Sequence, residues 1–368
     1  MDNKSNPLDK FLSDDQVIAS ERFEFHLGHQ EVSYDDYAKN QRQAIQDCIK
    51  SKRIIHLDTN AWKCLSDYER EKTALTDAMV DFAHTMNSEQ VRNKCIFPIG
   101  IATLFELQSM EDPISLSTLA NLVDRFSAGA ACQPPDEVIA QELALFNQKA
   151  TREAGSEPDR FCHPVEIMGK LRITVPNFLP TSGALAFAKT LLDISHSLPT
   201  SAHLEMAAAS LHPHWNNVDG IDEMNEGMNT HKAELKTYAD ALLVELTGVL
   251  TPYVPDGLPV DGWPPRKAQA GMAMIHWAKN PDSRHLFTAR IQANLHAVVR
   301  HLETRKFQKG DIADIITASI ALPSSQAFFT DKRLANLLNE PRVGLRQYCS
   351  CDVVSGFDKF AAYLRESS

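Results

Sequence analysis

The sequence predicts an α/β fold: a parallel sheet flanked by helices, with a large, mostly α-helical insertion or subdomain. Three observations predict it. Two short apolar runs, RIIHLD at 53–58 and QAFFTD at 326–331, each end in aspartate. Each is followed at once by a helical segment, and strand–helix alternation is the mark of a parallel sheet. Between them, residues 111–305 carry helical spacing almost throughout.

In chain order, residues 1–33 are polar and acidic, with one extended candidate, FEFHLG at 23–28. Residues 34–51 read as a helix. RIIHLD is rich in β-branched residues and bounded by charge, which suits a buried strand. A helix follows with Leu75, Met79, Phe82 and Met86 on one face. KCIFPI at 94–99 is the second strand candidate; Gly100 ends it and IATLFELQSM begins a helix. The clearest helical stretches of the insertion are 184–198, 232–250 and 285–307, separated by the Pro- and Gly-rich segment 251–265. GDIADIITASIAL at 310–322 is a helix, QAFFTD a strand, KRLANLLNE a helix, QYCSCDVVS a last strand and FDKFAAYLRE a last helix. The chain therefore divides into an N-terminal extension (1–50), a discontinuous α/β unit (51–110 with 306–368) and the helical insertion (111–305).

Lys and Arg total 37 and Asp and Glu 48, a net charge of −11. That field repels phosphate, so the whole surface is not a nucleic-acid grip. One stretch differs. Residues 281–310 hold Arg284, Arg290, Arg300, Arg305, Lys306 and Lys309 against Asp282 and Glu303. Either this is a solvated helix face, or it is a local phosphate-binding surface together with Lys332. The N-terminus MDNKSNPLDK has no apolar core of a secretory signal, and no apolar run is long enough to span a bilayer. The expectation is a cytoplasmic protein with no membrane association. Seven scattered cysteines fit reduced thiols better than a zinc site.

Four carboxylates stand out by position. Asp58 and Asp331 close strands. Glu106 lies on the helix after the second strand, and Asp314 on the helix of 310–322. Ligands of open parallel sheets bind beyond the carboxyl ends of the strands, so neighbouring strands would bring these groups to one cleft. Clustered carboxylates raise one another's pKa unless a cation intervenes. Mg²⁺ or Mn²⁺, as one or two ions, suits hard oxygen ligands and phosphate chemistry. No Gly-rich phosphate loop, G-x-S-x-G or H-E-x-x-H is present.

At these residues the chain resembles the PIN-domain family of metal-dependent ribonucleases. HLDTNAW at 56–62 resembles that family's opening strand, GIATLFEL at 100–107 its second block, DIADIITASIA at 311–321 its third and AFFTDKRL at 327–334 its fourth. The resemblance implies a PIN-like sheet, a Mg²⁺- or Mn²⁺-dependent nuclease and RNA as substrate, with DNA as an alternative. It implies Asp58, Glu106, Asp314 and Asp331 as metal-binding, catalytic carboxylates. Asp311 is a further metal-binding candidate, with Asn60 and Thr330 in support. Arg290, Arg300, Arg305, Lys306, Lys309 and Lys332 are candidates for nucleic-acid contact. The long span between Glu106 and Asp311 departs from a compact PIN domain.

Plainer readings exist for each position. Asp58 and Asp331 are equally good helix N-caps, and Asp311 suits a helix first turn. A catalytically degenerate module that binds nucleic acid or protein is the main rival. A phosphatase of another doubly wound family needs D-x-D after the first strand, and Asn60 stands at that position. A toxin-type role would imply an inhibitory partner protein; the oligomeric state is unspecified.

Overall fold

The computed structural model describes residues 19–72, 74–110, 112–149, 157–167, 180–203, 220–231, 235–255, 257–259, 262–302 and 305–367. The first described helices are α1 (19–28) and α2 (Tyr34–Ile49). Strand β1 (Arg53–Leu57) leads directly into α3 (Thr59–Glu69), followed by α4 (Asp77–Met86) and α5 (Glu89–Lys94). Then come β2 (Cys95–Ile96), α6 (Ile101–Gln108) and α7 (Pro113–Ser127). A small antiparallel ribbon, β3 (Ala131–Cys132) with β4 (Phe161–Cys162), brackets α8 (Pro135–Lys149). Helices α9 (Pro164–Ile167), α10 (Thr181–Ser197), α11 (200–203), α12 (Ile221–His231), α13 (Tyr238–Leu250), α14 (Pro265–Lys279) and α15 (Phe287–His301) follow. The C-terminal part is α16 (Asp311–Ser324), β5 (Ala327–Thr330), α17 (Lys332–Leu338), β6 (Asp352–Ser355) and α18 (Phe357–Ser367).

The main sheet has the order β2-β1-β5-β6, with every pair parallel. Successive side chains of a strand face opposite sides. On β1, Ile55 and Leu57 face a core built with Trp62, Phe82 and Phe360, so α3, α4 and α18 cover that side. Ile54 joins Ile320 and Phe161 on the other side. On β5, Phe329 belongs to the first core, while Phe328 packs with Ile315 and Ala318 of α16 and Ile291 and Leu295 of α15. Burial of both strand faces is what a parallel sheet between helix layers requires.

Several expectations are corrected. FEFHLG is helical, not extended: it lies in α1, where the one-turn spacing carries His26 inward to bond Asp193 Oδ2 at 2.9 Å. KCIFPI shrinks to a two-residue strand, because Pro98 has no N–H for the ladder. Leu75 lies just before α4 rather than on it. Residues 111–305 also share the α/β core. Leu119, Leu122 and Phe126 of α7 join the first core, and Phe287, Ile291 and Leu295 of α15 join the second. The small residues Ala289 and Ala293 of α15 meet α13 and α14 on its other side.

All seven cysteines are free thiols. Among the described residues, no helix is long and apolar enough to cross a membrane.

Candidate functional site

Strands β1 and β5 are neighbours, with Leu57 opposite Phe329, so Asp58 falls level with Thr330 and Asp331 follows one residue beyond, both at the same sheet edge. The Asp58 N–H donates to Phe329 O at 3.0 Å and closes the ladder. Asp58 Oδ1 accepts from the Ala61 N–H at 3.0 Å and caps α3. Asp331 repeats the arrangement, its Oδ1 accepting from the Leu334 N–H at 2.7 Å to cap α17. Capping satisfies backbone donors that a helix start leaves open and holds each aspartate in one conformation.

Two helices bring the other carboxylates. Glu106 is on α6 and Asp314 is in the first turn of α16. These helices approach closely because Gly100, at the head of α6, has no side chain: a Cβ there would lie 2.9 Å from Ile320 Cδ1 and 3.2 Å from the His56 ring. The resulting cleft is lined by Asp58, Thr59, Asn60, Lys63, Glu106, Ala313, Asp314, Thr317 and Leu334. Three of the four predicted carboxylates thus meet in one cleft. Asp331 is not among its lining residues, but its charge acts on both Asp58 and Asp314.

The electrostatics are those of an under-compensated acidic site. Burial pushes Asp58 up to about 7, and the charges of Asp331 and Asp314 push the same way. The Ala61 N–H opposes the shift. The buried Thr330 hydroxyl also favours the ionised form, although it makes no hydrogen bond of good geometry. Burial raises Asp314 to about 6, against the Arg333 guanidinium that bonds it and with the charges of Asp331 and Asp311.

Asp311 is not part of the cleft. Its side chain is only 2% exposed and pairs with Arg305 at 3.1 Å and Arg333 at 3.4 Å. Its Oδ2 accepts from the Gln308 N–H at 2.8 Å and closes the turn before α16. Three of the basic candidates are likewise engaged inside the protein. Arg290 lies 3.7 Å from the centre of the Tyr348 ring and donates to Pro281 O and Ser283 O. Arg300 pairs with Glu245, and Arg305 with Asp311. For Arg290 and Arg300 the cause is the position of α15: a helix buried on two sides turns its long cations toward internal partners. Lys306, Lys309 and Lys332 are exposed. His56 is buried beside Gly100, and burial holds it down to about 4, in the neutral form.

Sequence reasoning missed Lys63, Thr317 and Arg333. Lys63 is one turn after Asn60, and Thr317 one turn after Asp314, so helical spacing was the available signal. Arg333 is two residues past Asp331.

The donors are hard oxygens, which suits Mg²⁺ or Mn²⁺ in kind. Among the described residues, however, no group of three or more His, Cys, Asp or Glu side chains is arranged to hold a metal ion. Comparison with family models, characterised proteins and solved structures finds no match to this chain.

Proposed function

We propose that the chain is a divalent-metal-dependent nuclease of PIN-like type, hydrolysing RNA phosphodiester bonds. The observation that carries the reading is the meeting of Asp58, Glu106 and Asp314 in one polar cleft at the carboxyl edge of a parallel sheet. Asp58, Glu106 and Asp314 would hold Mg²⁺ or Mn²⁺, with Asp331 adding negative field. Such an ion supplies charge for the phosphate and acidifies a water. Asn60 and Thr317 offer neutral hydrogen-bonding groups in the same cleft, and the exposed Lys63 offers a phosphate-binding charge. With burial pushing it up to about 7, Asp58 is only partly ionised near neutral pH.

The test uses purified chain, Mn²⁺ or Mg²⁺, and end-labelled single-stranded RNA and DNA of one sequence. Cleavage of RNA by the wild type, lost with EDTA and in Asp58→Asn and Asp314→Asn, supports the reading. Equal cleavage by wild type and variants identifies a contaminant and removes it. Preferred cleavage of DNA redirects it to a DNA nuclease.

A second reading is a non-catalytic PIN-like binding module. Two observations favour it: Asp58 and Asp331 already serve as caps, and among the described residues no group of three or more His, Cys, Asp or Glu side chains is arranged to hold a metal ion. RNA binding without cleavage under any divalent metal would select it.

A further inference from the structure

Arg333 enters the acidic region from α17, two residues after the Asp331 cap. Its guanidinium spans two aspartates of α16. Nη2 donates to Asp314 Oδ2 at 2.7 Å, and Nη1 lies 3.4 Å from Asp311 Oδ1. The two aspartates differ in what else they have. Asp311 is buried and holds a second cation, Arg305, as well as the Gln308 N–H. Asp314 lines the cleft and shares the field of Asp331.

A carboxylate oxygen engaged in a short charge-assisted bond is a poor ligand for an incoming cation, which the guanidinium also repels. Losing Arg333 would leave Asp311 still neutralised by Arg305. The guanidinium can therefore leave Asp314 without stranding a buried charge, and it keeps Asp311 as an anchor.

We propose that Arg333 is the resident counter-ion of the cleft, holding Asp314 until a divalent cation displaces it, and so sets the cation affinity of the site. This rests on the metal-binding reading given above.

The test is a Mn²⁺ titration of the full chain, read by the electron paramagnetic resonance signal of free Mn²⁺. It compares wild type with Arg333→Gln, Arg333→Lys, Lys332→Gln, Asp314→Asn and the double variant Arg333→Gln/Asp314→Asn. Arg333→Gln is expected to tighten binding roughly three- to ten-fold, the scale of a partly exposed, charge-assisted pair. Arg333→Lys keeps the charge and should fall between. Lys332→Gln removes a neighbouring exposed charge and should change affinity by less than about two-fold, as a screened surface charge does. In the Asp314→Asn background the gain from Arg333→Gln should vanish.

Unchanged or weaker binding by Arg333→Gln overturns the proposal. An equal gain from Lys332→Gln also overturns it, because general field and not the pair would be responsible. A gain that persists in the double variant does the same. Absence of Mn²⁺ binding in every protein refutes the metal reading of the cleft itself, and this inference with it.

Discussion

Asp58→Asn should stabilise the protein at neutral and alkaline pH. In the folded chain Asp58 keeps its proton to about pH 7. In the unfolded chain an aspartate releases it near pH ~4. Between those values the folded state binds the extra proton, so stability falls as pH rises through the window and the full penalty persists above it. About three pH units at about 1.36 kcal/mol each give a ceiling of about 4 kcal/mol. The side chain is part-exposed, and solvent screening leaves roughly half of that, about 2 kcal/mol. Asparagine has the same shape, caps α3 as well as aspartate does and never ionises. For a chain of this size the gain is roughly 3 °C in melting midpoint. The assay is urea or thermal unfolding of both proteins at pH 5 and pH 8, without divalent metal. The advantage of Asp58→Asn should be larger at pH 8. A variant less stable than wild type at pH 8, or a difference independent of pH, would show that Asp58 is not an under-compensated carboxylate. Saturating Mn²⁺ should raise the wild-type midpoint and leave that of Asp58→Asn nearly unmoved.

Gly100→Ala should cost about 1–3 kcal/mol by overpacking, since the new Cβ meets Ile320 and His56; the same variant should weaken Mn²⁺ binding, because α6 carries Glu106, and calorimetry with Mn²⁺ checks both. Arg290→Ala should lower stability and leave the salt dependence of RNA binding unchanged, whereas Lys63→Ala should flatten the log–log salt slope by about one counterion; filter binding across a salt series separates them. Glu142 is buried, with both carboxylate oxygens accepting from the Thr288 N–H and an ion pair to Arg160 at 3.3 Å. Glu142→Ala should cost about 3–5 kcal/mol by leaving Arg160 unpaired and the start of α15 uncapped, measurable by denaturant unfolding.

How much of this was legible follows from where each signal lies. RIIHLD and AFFTD are local: short apolar runs ending in aspartate before a helix, and the parallel pairing of β1 with β5 then follows from alternation. Glu106 and Asp314 reached the cleft as expected, because both ride helices that start at the same sheet edge. The basic stretch misled because its partners are distant in sequence. Glu245, which holds Arg300, and Tyr348, beneath Arg290, lie 55 and 58 positions away (300 − 245 and 348 − 290). Composition reports six cations; only tertiary structure reports which have been engaged. Asp311 failed for the opposite reason. Its local role, closing a turn through the Gln308 N–H, is indistinguishable in sequence from a ligand position one turn before Asp314. FEFHLG failed because alternating aromatics suit a strand, yet burial of His26 against Asp193 rewards helical spacing.

Cap and ligand first stood as rival accounts of Asp58 and Asp331, and the geometry shows the caps. A parallel strand that feeds a helix places its last residue where open N–H groups of the helix and the sheet's ligand-binding edge coincide. An aspartate there accepts an open N–H of the helix start with one oxygen, which fixes its side chain without neutralising it. Asp58 and Asp331 do this on adjacent strands, and the charges of Asp331 and Asp314 both act on Asp58. If capping were their whole role, asparagine or serine would serve as well and without the burial penalty at Asp58. The retained charge is therefore destabilising on its own terms, and Arg333 relieves it only at Asp314. A site that lowers the stability of its own fold in the absence of a ligand is what binding a cation would reverse. The net charge of −11 then has a local meaning. Part of it lies in this cleft, where, on the proposed reading, a divalent ion would offset it.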